Sequence, residues 1–134
     1  MRPLQASASH HLDSVKFDIK TGSAVSVIVA SPGYPGSYPK GVPITLPPDD
    51  TLQNAVVFHA GTSFSSTNGA QSQLVSSGGR VLAVSAYGAT LEEALKAAYG
   101  VIGDIQFEGM VYRRDIAHRC RSSIRFTFFC MLMA

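Results

Sequence analysis

Few residues in this chain have both the type and the placement to do chemistry. The segment Ser31-Pro32-Gly33-Tyr34-Pro35-Gly36-Ser37-Tyr38-Pro39-Lys40-Gly41 packs three prolines and three glycines into eleven residues. Such a run sustains neither a helix nor an inner strand. Its glycines let backbone N–H groups approach an anion without side-chain obstruction. A tight structural loop between strands is the alternative, because the run matches neither the G-x-x-x-x-G-K-[ST] phosphate loop nor the G-x-G-x-x-G fingerprint. His59 closes an apolar run and precedes Ala60-Gly61-Thr62. A histidine at a strand-to-loop junction can serve as a general base or substrate donor, or simply as a hydrogen-bonded structural residue. No serine, cysteine or carboxylate is placed to complete a triad with it, so no catalytic residue is assigned. Cys120 and Cys130 lack C-x-x-C spacing, and His118 beside Cys120 makes no zinc pattern, so no metal ligands are assigned. Arg113, Arg114, Arg119, Arg121 and Arg125 form a late basic cluster that could meet phosphate or nucleic acid. With Asp104, Glu108 and Asp115 close by, it reads better as a solvated or interdomain salt-bridging face.

The elements that would position these groups follow from periodicity. Val15–Lys20 alternates apolar and charged, the pattern of a half-buried strand. Ala24–Ala30 is a β-branched run fit for a central strand, Val42–Leu46 a short edge strand, and Ala55–Ala60 a second good strand. Gly61–Ser72 has the composition of an exposed loop. Gln73–Val75 and Val81–Tyr87 flank Ser76-Ser77-Gly78-Gly79-Arg80 and suggest a β-hairpin. Thr90 and Glu93 form a capping box ahead of the apolar stripe Leu91, Ala94, Leu95, Ala98 and Ile102, with Gly103 as the stop. Strands followed by one long amphipathic helix predict an α+β fold, an antiparallel sheet with the helix packed on it.

Composition excludes several classes. The chain has 134 residues, 46% hydrophobic and 15% charged, with a net charge of +2. Its length supports one domain and the burial of roughly two-thirds of the unfolded surface, enough for a core without disulfides. The balance argues against disorder, and the charge is too small to imply nucleic acid by itself. No apolar run approaches the ~20 residues of a membrane span. No secretory leader is read at the start, and two cysteines make no disulfide framework, so a reduced cytoplasmic setting is expected.

Several strings taken together resemble a known family. They are Ala24–Ser31 leading into Gly33-Tyr34-Pro35-Gly36-Ser37-Tyr38 and Lys40-Gly41, then Pro43-Ile44-Thr45, Val57–Thr62 and Gly78–Val84. Leu91–Ala94, Phe107–Met110 and Tyr112–Ile116 complete the series. In this order they resemble the C-terminal domain of phosphoribosylamine–glycine ligase, also called glycinamide ribonucleotide synthetase, over about residues 4–119. The resemblance implies a ligase C-terminal domain at 12–119, preceded by a poorly assigned segment at 1–11 and followed by an unmatched apolar tail at 120–134. It implies a role in purine synthesis, where the complete enzyme joins glycine to 5-phosphoribosylamine with ATP and magnesium or manganese. The resemblance implies that the nucleotide and metal ligands lie in the ATP-grasp region, which with the N-terminal region is expected upstream of this chain. The chain alone is therefore expected to be inactive and to carry no cofactor, with those missing regions as its partners. Gly33, Tyr34, Pro35, Gly36, His59, Gly61 and Thr62 are the expected substrate-binding positions, both segments lying on one side of the domain. No membrane or nucleic-acid partner is expected. Ser63–Gln73 is longer than is usual in the family, and the match stops after Arg119, so a truncated gene model, a retained intron or a frameshift is expected, with a fusion to a further purine-pathway enzyme as the alternative. Two further readings stand beside this one: a non-catalytic interaction module that keeps only the fold, and a nucleic-acid binder using the arginines.

Overall fold

The computed structural model describes residues 3–16, 18–65 and 72–121. In chain order these form α1 (Pro3–Ala8), β1 (Ser23–Ala30), β2 (Ala55–His59), β3 (Thr62–Ser65), β4 (Gln73–Ser76), β5 (Arg80–Gly88), α2 (Leu91–Asp104), β6 (Val111–Tyr112) and α3 (His118–Arg121), with short 3₁₀ turns at Leu12–Ser14 and Asp49–Thr51. The architecture is the expected α+β fold. Four strands make an antiparallel sheet in the order β2-β5-β1-β6, and β3 and β4 pair separately.

Alternation explains the main sheet. Val25, Val27 and Val29 of β1 are buried, and they pair with Ala86, Val84 and Leu82 of β5, also buried. Ala55 and Val57 of β2 pair with the same Ala86 and Val84. Residues directly opposite in an antiparallel ladder project to one face, so these side chains form a single apolar surface. Helix α2 lies on that surface, burying Ala94, Leu95, Ala98, Val101 and Ile102. Val101 completes the apolar stripe. The capping box forms as expected: Glu93 N–H donates to Thr90 Oγ1 at 3.2 Å, and Glu93 Oε2 accepts from the N–H groups of Ala89 and Thr90 at 2.9 and 3.4 Å. Gly88 lets strand and helix meet closely, because a Cβ there would lie 2.6 Å from the backbone nitrogen of Ala94.

Five local expectations change. Val15, Lys16 and Asp18–Lys20 join no strand, and Ile19 is exposed; alternation alone cannot make a strand without an edge to pair with. The first half of the Gly61–Ser72 loop is β3, where Thr62 and Phe64 supply β-forming side chains that the serine-rich composition masks. Gln73–Val75 does not form a hairpin with Val81–Tyr87: β4 pairs with β3, while β5 pairs with β1 and β2. Helix α2 continues through Gly103 to Asp104 and stops where Ile105 turns extended and buries its side chain. Val42–Leu46 runs beside β4 but makes only isolated bridges, Pro43 with Val75 and Thr45 with Gln106. Pro43 has no N–H to continue a ladder. The apolar tail expected at 120–134 lies, beyond Arg121, outside the described residues. Among the described residues no helix is long and apolar enough to cross a membrane.

The packing yields a direct test. Leu95 is buried between α2 and the sheet, so Leu95→Ala is expected to cost about 2–5 kcal/mol in urea unfolding. A loss below about 0.5 kcal/mol is the range of a surface position and would contradict the helix placement.

Candidate functional site

The sheet carries a one-residue irregularity that organises the loops at one end. Val29 pairs with Leu82 but Ala30 pairs with Arg80, leaving Val81 as the extra residue on β5. Such a bulge bends the strand and increases its local twist, while on the other edge of β5 the β2 register runs on past His59 and Leu82. The Val81 carbonyl accepts two hydrogen bonds, from the N–H groups of Ala60 and Gly61, both at 3.0 Å. The Gly61 carbonyl in turn accepts from Ser77 N–H at 2.8 Å and Gly78 N–H at 3.0 Å. A Cβ on Gly61 would lie 2.3 Å from the Arg80 carbonyl oxygen, so only glycine fits at this crossing.

The proline- and glycine-rich loop is anchored at the same place. Ser31, nearly fully buried, donates its N–H to the Gly79 carbonyl at 2.8 Å and its hydroxyl to the Gly78 carbonyl at 3.1 Å. The chain then folds into a tight turn in which Gly36 N–H donates to the Gly33 carbonyl at 2.8 Å. Gly33 has φ of 88°, and a Cβ there would meet the Ser37 carbonyl oxygen. The Tyr34–Pro35 peptide bond is cis. Tyr34 and Tyr38 meet edge to face with centroids 6.1 Å apart. Both rings rest on Gly79: a Cβ on that residue would lie 2.1 Å from Tyr34 Cδ2 and 3.0 Å from Tyr38 Cε1.

The result is an open recess of about 430 Å³ lined by Ile28, Tyr34, Ala60, Gly78, Gly79 and Arg80. It offers one guanidinium and the phenol of Tyr34, a combination suited to an anionic, hydroxylated ligand. The expected site residues divide. The 33–36 loop and the Ala60–Thr62 turn are tied to the same Gly78–Val81 junction. Gly36 and Gly61, however, spend their N–H groups inside the fold and do not present them as free donors. His59 pairs with Leu82 and so projects to the helix side of the sheet. It lines a second recess, about 260 Å³, with Leu46, Asp49, Leu52 and Val57 among its walls. Its Nδ1 lies 3.0 Å from Thr62 Oγ1. Sequence reasoning missed Gly78, Gly79 and Arg80 as site residues. Their Gly-Gly signal was present but fits a simple hairpin turn equally well.

The late arginines are engaged locally where they are described. Arg113 makes a bidentate pair with Asp115, at 2.9 and 2.8 Å. The hydrogen bonds from Arg113 hold the Asp115 carboxyl below the usual carboxylate range, and Arg113 itself is raised. Arg114 stacks over the Tyr112 ring at 5.6 Å, and Tyr99 Oη donates to the Arg113 carbonyl at 2.8 Å. This is the salt-bridged face, with its ion pair exposed to solvent. Among the described residues no group of three or more His, Cys, Asp or Glu comes together to hold a metal ion.

With this geometry in view, residues 24–119 match the family described as phosphoribosylglycinamide synthetase, C domain. The chain belongs to this family. The matched span contains β1 from its second residue, β2 to β6, α2 and every residue lining the recess. The chain is 46% identical over 101 residues to the phosphoribosylamine–glycine ligase of Nostoc sp., an alignment covering 75% of this chain and 23% of that protein. It is 43% identical over 115 residues to a bifunctional purine biosynthetic protein of Saccharomyces cerevisiae, covering 85% of this chain and 14% of the relative. The crystal structure of phosphoribosylamine–glycine ligase from Thermotoga maritima superposes with a TM-score of 0.63 at 35% identity, covering 84% of this chain and 27% of that one. The chain thus spans about a quarter or less of the length of these relatives, as a family C domain does.

The Gly79 seat gives the prediction of this site. Gly79→Ala forces a methyl into the Tyr34 ring and is expected to cost about 1–3 kcal/mol, as overpacking does, with loss of near-UV tyrosine dichroism. Gly100→Ala, in open space on α2, is the control and is expected to stabilise by about 0.5–1 kcal/mol. Equal, negligible effects at both positions would show that the loop does not rest on Gly79.

Proposed function

We propose that this chain acts as the C-terminal domain of a phosphoribosylamine–glycine ligase and forms one wall of that enzyme's active site. The observation that carries the reading is the match of residues 24–119 to the family, beside 41–46% identity to phosphoribosylamine–glycine ligases about four times longer than the aligned part. In the reaction of such a ligase, the γ-phosphoryl group of ATP passes to the glycine carboxylate, releasing ADP. The amine of 5-phosphoribosylamine then attacks the acyl carbon, forming the amide and releasing inorganic phosphate. In this reading the nucleotide and the divalent metal, magnesium or manganese, would be held by the ATP-grasp region of the complete enzyme.

The role of this chain's own residues is to bind and orient. Arg80 stands exposed at the rim of the recess, where a charge-assisted hydrogen bond to the sugar phosphate would position the amine for attack. Tyr34 and the Ala60–Thr62 turn would face the ribose. The hydrogen bonds from Ser31 to the Gly78–Gly79 carbonyls make this wall rigid before substrate arrives. The partners in this reading are the N-terminal and ATP-grasp regions, in a cytoplasmic setting.

Transplantation tests the assignment. Residues 24–119 are placed in the Nostoc ligase in exchange for the part they match. The chimera is expected to release ADP in dependence on both glycine and 5-phosphoribosylamine, whereas the 134-residue chain alone is expected to release none. A folded chimera without activity, or substrate-dependent ADP release by the chain alone, would overturn the reading.

A further inference from the structure

We infer that the sheet face opposite α2 is the surface on which the preceding part of the enzyme docks; this rests on the ligase reading above. The ladder register places Ala24, Ser26 and Ile28 of β1 beside Tyr87, Ser85 and Ala83 of β5. Val56 and Phe58 of β2 lie beside the same Ser85 and Ala83. All eight side chains therefore share one face, away from the helix. None is charged. Ser26 and Ser85 bond to each other through a 2.6 Å hydroxyl contact, which lowers the polar demand at the centre of the face. Val56 is 52% exposed, Phe58 55% and Tyr87 39%. The Tyr87 hydroxyl is bonded to the Thr21 carbonyl, which holds the ring against Gly22.

An uncharged sheet face with three large exposed side chains is unusual for a surface that meets only water. Small residues along the middle, bordered by Phe58, Val56 and Tyr87, leave a shallow trough that a helix or second sheet can fill. Two observations select the occupant. The relatives extend far beyond the matched domain, this chain covering only 14–27% of their length, so an intramolecular partner is available. Ile28 also belongs both to this face and to the lining of the Arg80 recess. The body that closes the open recess therefore abuts the same face. A partner reaching the recess from the helix side would have to cross the sheet edge and would leave the apolar face bare.

Oxidative side-chain footprinting reads the contact. In the isolated chain, at dilution where sedimentation shows monomer, Phe58 and Tyr87 are expected to be labelled readily. In the transplanted Nostoc ligase, Phe58 labelling is expected to fall several-fold. Phe58→Glu is expected to leave the melting temperature of the isolated chain nearly unchanged, as for a surface substitution, yet to lower that of the chimera. Unchanged Phe58 labelling in a folded, active chimera would overturn the docking assignment while leaving the ligase reading intact. An inactive chimera with Phe58 protected would count against the ligase reading alone. Protection of Phe58 in the isolated chain through dimer formation would name a second copy as the occupant and overturn the inference.

Discussion

The extra residue at Val81 sets the geometry on which the rest of the candidate site depends. Without it, Ala30 would pair with Val81; with it, Ala30 pairs with Arg80, and the chain before it presents the Gly78 and Gly79 carbonyls to Ser31. On the other edge of β5 the β2 register runs on, and the Val81 carbonyl anchors Ala60 and Gly61. Two loops far apart in sequence are thus tied to one short stretch of one strand. Buried backbone groups must find partners, and here each loop supplies the partner the other needs. The glycines follow from the crowding. Gly61 passes under Arg80, and Gly79 lies under two tyrosine rings, so side chains are excluded at both crossings.

The sheet behind this junction is the rigid body that holds it. β5 is hydrogen-bonded along both edges, and α2 covers one face with a stripe of alanine, leucine, valine and isoleucine. A closely packed core is hardly compressible, which suits the wall proposed above for the complete enzyme. The division of labour is visible across the sheet. The helix side carries the stability, the loop end carries the polar groups, and the opposite face is apolar and uncovered among the described residues.

Much of this was legible in the residues. The β-branched runs at 24–30 and 81–87 and the Thr90–Glu93 capping box each have one strong local reading, and the structure has them where periodicity places them. The family, too, was readable, because several short strings agree in order. What was not legible is long-range pairing. Gln73–Val75 and Thr62–Ser65 find each other only because β1 and β2 already occupy both edges of β5. A Gly-Gly pair between two strands cannot by itself distinguish a hairpin turn from a crossing between sheets. The direction of His59 depends on register: a one-residue slip would carry it to the other face, and nothing local to Phe58-His59-Ala60 sets that register. Arg80 was overlooked for the same reason, since its value lies in what the bulge brings beside it.

The central claim is that the recess beside Arg80 receives the phosphoribosyl substrate, and a steady-state comparison tests it most directly. In the Nostoc ligase carrying residues 24–119 of this chain, Arg80→Ala and Arg80→Lys are compared with the parent for each substrate. Loss of a charge-assisted hydrogen bond to phosphate predicts a rise of about tenfold or more in KM for 5-phosphoribosylamine. KM for ATP and glycine should stay unchanged, with partial recovery in the lysine variant. An unchanged KM for 5-phosphoribosylamine in a folded Arg80→Ala enzyme would contradict the account and leave the recess a structural feature of the loop junction.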